Sequence, residues 1–175
     1  SLFIIILDVK IINLSQIKLI PLKIAVNTRL LIKNRLEGIG RFSFETLKRV
    51  VICHPEHEFF FLFDRKFDES FIFAKNVSPV VIGPQARRPI LLKIWYNLSV
   101  SKVLKKIDAD LFLSTDGFLS LKTDVPQIDV MHDLNFEHFP EDLPKSYTKY
   151  YRTYFPKFAQ KAKRIITVSE YSKKD

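Results

Sequence analysis

The chain has only one cysteine, and this scarcity excludes several classes of protein. Cys53 has no partner within the chain, so neither a fold held by internal disulfides nor a zinc site built from cysteines can form. The count is typical of a reducing compartment, and we expect a cytoplasmic location. One tryptophan and one methionine accompany sixteen phenylalanines and six tyrosines, which predicts a core rich in phenylalanine.

Long apolar runs are also missing. No uninterrupted apolar segment reaches the roughly 18 residues that a membrane-spanning helix needs. Residues 1–22 come nearest, but Asp8, Lys10 and Lys18 interrupt them, and they lack the basic start and small-residue cleavage site of a signal peptide. We assign residues 1–22 as an N-terminal extension, for which a weak interfacial anchor is one option, and residues 23–175 as a single domain.

Acidic residues are fewer than basic ones, and the imbalance is uneven. The chain has 28 Lys and Arg against 19 Asp and Glu, for a net charge of +9. Between Pro144 and Asp175 there are nine basic residues and only two acids, Glu170 and Asp175. Such an excess attracts phosphates on nucleotides, nucleic acids or anionic lipids, although a solvated basic helix face fits the sequence equally well.

Short apolar segments alternate with longer amphipathic ones from residue 23 onward. The pattern predicts strands at 23–29, 58–64, 77–83, 110–114, 127–131 and 164–168, and helices at 41–53, 89–107 and 145–163, the last interrupted near Pro156. Strands that alternate with helices indicate an α/β fold with a Rossmann-like, doubly wound parallel sheet. Ligands of such sheets bind beyond the carboxyl ends of the strands.

Four short segments fall at that edge of the predicted sheet. Glycines before a helix, as at 38–41, let an anion approach the backbone. A histidine after a strand, as at 132–133, can bond a sugar hydroxyl or stabilise charge, although a buried histidine bonded to backbone is equally common. Residues 116–117 form a turn, and Ser169 is the predicted N-cap of a last helix. We expect His54 and His57 to face solvent and expect no metal site.

Three motifs follow one another in a fixed order: Gly-Ile-Gly at 38–40, His-Asp-Leu-Asn-Phe at 132–136, and Val-Ser-Glu-Tyr-Ser at 168–172. This series resembles the N-terminal domain of retaining GT-B glycosyltransferases of the large glycosyltransferase group 1 type. The resemblance covers about residues 23–175. It implies that this chain is one half of a two-domain fold in which Rossmann-like domains face each other across a cleft.

In enzymes of that type the N-terminal domain binds mainly the acceptor and the C-terminal domain mainly the nucleotide-sugar donor, and neither metal nor cofactor is usually required. The resemblance implies that the residue matching His132 reaches toward the transferred sugar, which makes His132 and Asp133 the candidate catalytic residues. The candidate residues for substrate and phosphate are Gly38, Ile39, Gly40, Arg41, Asp116, Gly117, Ser169 and Glu170. The expected acceptor is a glycan or glycolipid in polysaccharide biosynthesis at the inner membrane face. On charge alone, the basic segment from Lys145 to Arg164, with Arg87, Arg88 and Lys93, would contact anionic lipid there.

The sequence departs from the family at its end. The donor domain, with its paired glutamates, should follow Val168, yet the chain stops at Asp175, so we expect this polypeptide to be inactive alone.

Two alternatives to the glycosyltransferase interpretation remain. An NAD(P)-dependent oxidoreductase would use Asp64 as its ribose-binding acid, although Ser43 replaces the third glycine of the fingerprint. A nucleic-acid-binding domain would stack bases on the tyrosines of residues 147–154, but aromatics at this spacing are more often core.

Overall fold

The computed structural model describes residues 20–175. The assignment of an N-terminal extension at residues 1–22 falls almost entirely outside the described residues. From Lys23 onward the chain alternates strands and helices in the predicted order.

The six strands of the described chain form one parallel sheet. They are β1 (Lys23–Asn27), β2 (Glu58–Phe63), β3 (Val77–Val81), β4 (Leu111–Ser114), β5 (Gln127–Met131) and β6 (Arg164–Thr167). Their order across the sheet is β3-β2-β1-β4-β5-β6, and every neighbouring pair is parallel. This arrangement confirms the doubly wound, Rossmann-like fold. The strand order reverses between β1 and β4, which is where ligands of such sheets bind.

Helices cover both faces of the sheet. They are α1 (Ile39–Cys53), α2 (Pro89–Ile94), α3 (Ser101–Ile107), α4 (Asn135–His138), α5 (Lys145–Lys161) and α6 (Glu170–Lys174). A π-helical turn, Trp95–Val100, joins α2 to α3, so the helix predicted at 89–107 is continuous but locally widened. Two short 3-10 turns lie at Glu69–Phe71 and Pro140–Asp142.

Phenylalanines build the core on both sides of the sheet, as the composition predicts. Phe59, Phe61 and Phe63 alternate along β2 and pack with α1 on one face. Phe112 and Phe158 belong to the opposite face, with the π-helical turn and α5. A strand covered on both faces needs a continuous apolar run, and this explains why residues 59–63 contain no polar side chain.

The predicted interruption of the last long helix is wrong. Pro156 lies inside α5, and the helix continues from Lys145 to Lys161 without a break. Proline removes one backbone donor from the helix, but Phe155 and Phe158 on either side of it are buried against the core. Tertiary packing of this kind supplies most helix stability in proteins, so it outweighs the local preference of proline.

Candidate active site at the carboxyl edge of the sheet

A cavity of about 350 Å³ opens where β4 and β5 end, beside the first turn of α1. Five of the ten predicted site residues line it: Ile39, Asp116, Gly117, His132 and Asp133. Aromatic rings form much of the remaining wall, including Phe118, Tyr151 and Phe155. Sequence reasoning placed the polar residues at this edge. It considered Tyr151 only for base stacking and did not identify these rings as walls of the cavity, because they come from α5 and from the loop after β4.

His132 is held in one orientation within this cavity. Its Nε2 lies 2.9 Å from the carbonyl oxygen of Thr115. A carbonyl can only accept a hydrogen bond, so Nε2 carries the proton and Nδ1 of the neutral ring is an acceptor. The edge of the ring also contacts Phe42 of α1, with ring centroids 5.0 Å apart. The fixed tautomer leaves one basic nitrogen that can accept a hydrogen bond from a ligand hydroxyl.

The start of α6 is tied to the same point of the sheet. The hydroxyl of Ser172 donates to the backbone carbonyl of His132 at 2.7 Å. Ser169 accepts from the backbone N–H of Ser172 at 3.0 Å, which confirms it as the N-cap. The side chains of Ser169 and Glu170 are exposed and do not line the cavity. The structure therefore brings α6 to the histidine through Ser172, which sequence reasoning did not single out.

The glycine turn before α1 is shaped by close backbone contacts. Gly38 adopts a φ of +46°, a left-handed conformation that favours glycine. A Cβ atom at Gly40 would lie 2.8 Å from the carbonyl oxygen of Leu30, so only glycine fits there. Gly38 and Arg41 are exposed and Gly40 is buried, and none of the three lines the histidine cavity.

Ser43, at the third position of the incomplete glycine fingerprint, has a different role. Its hydroxyl is 2.7 Å from that of Thr115, whose carbonyl holds His132. A short chain of hydrogen bonds thus connects the first turns of α1 to the histidine. Neither Ser43 nor Thr115 carries a sequence signal for this role, since the two lie 72 residues apart.

Asp116 is buried at the centre of a polar network. Its carboxylate accepts from Asn27 Nδ2 at 2.7 Å and from the hydroxyls of Tyr96 and Ser114, both at 3.0 Å. Arg29 Nε pairs with its second oxygen at 2.7 Å. These bonds occupy the carboxylate inside the protein, although the residue borders the cavity. The network joins the ends of β1 and β4 to the π-helical turn.

Arg29 is fixed on several sides by this network. Besides Asp116, its Nε contacts the Tyr96 hydroxyl at 3.2 Å, and its guanidinium lies 5.1 Å from the centre of the Phe118 ring. Burial alone would lower the pKa of Arg29, but Asp116 and Tyr96 outweigh it and raise that pKa above its ordinary value. Arg29 is therefore a permanent, well-positioned cation at the end of β1.

Asp64 directly follows β2, where a ribose-binding acid of a dinucleotide site would lie, but its carboxylate already has partners within the protein. Arg65 donates to both of its carboxylate oxygens, at 2.6 and 2.8 Å, and the backbone N–H of Ala86 donates at 2.8 Å. The Asp64 side chain has no exposed surface. This geometry gives the oxidoreductase alternative no support.

A second cavity, of about 450 Å³, lies beside the first and shares Tyr151 with it. Four arginines line it: Arg29, Arg35, Arg65 and Arg87. Gly40, one of the predicted phosphate-binding residues, also belongs to this wall. Sequence reasoning considered only Arg87 of these arginines, and only for contact with lipid, because the four are scattered over nearly sixty residues of the chain.

His54, Glu56 and His57 form a cluster at the opposite edge of the sheet, where β2 begins. Their potential ligand atoms all lie within 4.8 Å of one another. The expectation that both histidines face solvent is wrong for His57, whose side chain is only 14% exposed because it packs near Phe59 and bonds the backbone N–H of Leu22. A backbone hydrogen bond and His54 hold the pKa of Glu56 below its ordinary value. The cluster is remote from both cavities.

Comparison with known families adds one positive finding. The sequence profile of Glycosyltransferase Family 4 matches residues 48–175 of the chain. No curated protein matches the sequence at a significant level. Within residues 20–175, no helix is both long and apolar enough to cross a bilayer.

Proposed function

The chain belongs to glycosyltransferase family 4, and on this premise we propose that it is the acceptor-binding half of a retaining GT-B enzyme. Such an enzyme transfers a hexosyl group from a nucleotide sugar to a glycan or lipid-linked acceptor. The family membership supports a glycosyltransferase domain, and the parallel sheet with a cavity at its switch point supports a ligand site at that edge.

The observation that carries this proposal is the orientation of His132 in the 350 Å³ cavity. The cavity volume lies within the range of small-molecule sites, about 300–1,000 Å³. With its Nε2 bonded to Thr115, the ring offers Nδ1 to a sugar hydroxyl. The rings of Phe118, Tyr151 and Phe155 supply apolar surface for the faces of a sugar. Asp133, which is exposed beside the histidine, can accept further hydroxyls.

The glycine turn gives the proposed site a place for phosphate. The α1 helix is 15 residues long, is preceded by Gly38 and begins with Ile39-Gly40-Arg41, without an acidic side chain in its first turn. The helix dipole favours an anion at such an end, although the backbone N–H of Gly40 already donates to the carbonyl oxygen of Glu37. We propose that this turn contacts either the diphosphate of the donor or the acceptor, and that Ser169 and Glu170, at the floor of the cleft, contact a phosphate or a sugar hydroxyl.

Departure of the nucleoside diphosphate needs positive or hydrogen-bonding groups where its charge develops. In the proposed enzyme most of these come from a second, donor-binding domain across the cleft. We therefore expect no transfer from nucleotide-hexoses by the 175-residue chain alone. Turnover by this chain would contradict the proposal that a second domain supplies most of the groups that stabilise the leaving diphosphate. No metal or cofactor is part of the proposal.

The proposed location is the cytoplasmic side of a membrane, with the domain held at anionic lipid. Exposed basic side chains on α5 and before α2, among them Lys145, Lys149, Arg87 and Arg88, support this part. Equal cosedimentation of the chain with neutral and with anionic vesicles would contradict the proposed contact with anionic lipid.

Saturation-transfer NMR with a panel of monosaccharides and sugar phosphates tests the proposed site. We expect at least one sugar to receive saturation from the wild-type chain, and we expect His132→Ala to weaken its binding about tenfold, because the variant removes a hydrogen bond inside a partly desolvated cavity. His54→Ala is the matched control, since it removes a histidine at the opposite edge of the sheet. Equal loss in both variants, or no sugar binding by the wild type, would contradict the proposal.

A further inference from the structure

The arginine cavity is assembled from three neighbouring strand ends. Arg29 follows β1, Arg35 lies in the loop between β1 and α1, Arg65 follows β2, and Arg87 lies between β3 and α2. In the sheet these strands are adjacent, in the order β3-β2-β1. The parallel fold therefore gathers four cations that are separate in sequence onto one edge, next to the histidine cavity.

Two of these arginines are anchored in a way that leaves hydrogen-bond donors free. Arg29 uses Nε to bind Asp116 and Tyr96, and within the described residues its two terminal nitrogens form no hydrogen bond. Arg65 uses Nε and Nη2 to bind Asp64, which leaves Nη1. The two side chains are only 13% and 20% exposed. Each is thus fixed by an internal carboxylate while part of its guanidinium can serve a ligand.

The charge of the cavity is not balanced by the protein. Asp116 and Asp64 compensate Arg29 and Arg65. Arg35 and Arg87 form no ion pair with any residue in the described range 20–175, and Glu37 is the only acid on the wall. An excess of positive charge therefore remains in the cavity. The planar guanidinium group of arginine can donate two parallel hydrogen bonds to two oxygens of a phosphate.

The far wall of the cavity comes from α5. The hydroxyl of Tyr147 donates to the backbone carbonyl of Arg87, which ties α5 to the loop that carries this arginine. Tyr151, one turn later, lines both this cavity and the one that contains His132. A ligand can therefore place an anionic group among the arginines and a sugar ring beside the histidine.

We infer that the acceptor of this enzyme carries a phosphoryl group, which the four arginines bind while the acceptor hydroxyl lies in the histidine cavity. The inference rests on the proposed function and narrows its acceptor class to phosphorylated sugars or phosphate-linked glycolipids. The phosphoryl group is the shared chemistry of a soluble sugar phosphate and of a lipid headgroup.

Isothermal titration calorimetry with inorganic phosphate, hexose 1-phosphates, hexose 6-phosphates, the parent hexoses and glucuronate tests the inference. The test variant is Arg35→Ala/Arg87→Ala, which removes two exposed arginines of the wall and keeps the buried ion pairs. The control is Arg49→Ala/Arg164→Ala, which removes the same charge at exposed positions outside the cavity. We expect a sugar phosphate to bind more tightly than its hexose, the test variant to lose about tenfold or more in affinity, and the control to stay within about twofold.

The source of the phosphoryl group is distinguished with phosphatidylcholine vesicles that contain or lack phosphatidylglycerol. Binding to soluble sugar phosphates alone assigns a soluble acceptor, whereas vesicle binding that is lost in the test variant and retained in the control assigns a lipid headgroup. Equal losses in both variants, or preference for glucuronate over sugar phosphates, would overturn the inference. If hexoses bind in a His132-dependent manner but phosphate does not bind, the inference fails and the proposed function stands. If phosphate binds but no sugar depends on His132, the proposed function fails.

Discussion

Replacing Asp116 by alanine is expected to lower the free energy of unfolding by about 3–5 kcal/mol, because it leaves the buried cation of Arg29 without its partner. The same change removes the acceptor for Asn27, Tyr96 and Ser114, which meet at this carboxylate. Domains of this size have only about 5–15 kcal/mol of stability in total. The variant should therefore unfold at a much lower urea concentration than the wild type.

Asp124→Ala is the control for this prediction. Asp124 is fully exposed and pairs with Lys161 across 3.5 Å, so its loss should change stability by less than about 0.5 kcal/mol. If Asp116→Ala does not fold, Asp116→Asn still serves the test, since it keeps one oxygen acceptor for Asn27, Tyr96 and Ser114, while it removes the charge and replaces the oxygen that pairs with Arg29 by an NH2 group. An Asp116→Asn variant as stable as the wild type would show that the charge pair with Arg29 does not stabilise the domain.

Asp129 should make the protein less stable as the pH rises. It lies within β5, has no exposed surface, and neither carboxyl oxygen forms a hydrogen bond within the described residues. Burial, and then the negative charge of Asp116, raise its pKa well above the ordinary value of 3.8. The nearby backbone N–H groups of Gly117 and Val130 offset only part of this effect, because they do not reach hydrogen-bond geometry.

The direction of the pH effect follows from the raised pKa. Between the ordinary and the raised value, the unfolded chain has released the proton of Asp129 while the folded protein retains it. Within that window this one group lowers the free energy of unfolding by about 1.4 kcal/mol for each unit of pH increase. Asp129→Asn removes the titration, so the stability of the variant relative to the wild type should increase steadily with pH.

Urea denaturation at a series of pH values from about 4 to about 8 measures this difference. Asp124→Asn, an exposed and isosteric change, should track the wild type at every pH. A constant difference between Asp129→Asn and the wild type across the series would show that Asp129 is ionised in the folded protein.

Much of the fold could be predicted because local signals and global packing agree. Strand β5 was predicted at 127–131 with the bounds that the structure has, since Pro126 precedes it and the polar pair His132-Asp133 follows. The run of phenylalanines at 59–63 indicated a strand buried on both faces, and β2 is such a strand. Once parallel strands are inferred, their carboxyl ends must share an edge, which brings Ile39, Gly117 and His132 to one cavity.

The parts that sequence reasoning missed depend on contacts between distant residues. Tyr96 joins the Asp116 network from a π-helical turn, a local widening that periodicity does not reveal. Arg29 and Arg65 gain their roles from buried carboxylates, and a charge pattern along the chain does not show which arginines are anchored. The continuity of α5 through Pro156 likewise depends on core packing by its neighbours.

The most direct test of the proposed acceptor site is a ¹H–¹⁵N chemical-shift map of the labelled chain titrated with a hexose 1-phosphate. If the site lies at the carboxyl edge of the sheet, the largest shifts should fall on the backbone amides of Ile39, Gly40, Gly117, His132 and Asp133. The amides of residues 54–58, at the opposite edge, should stay unchanged. Shifts concentrated at residues 54–58, or spread evenly over the basic surface of α5, would contradict the assignment of the site.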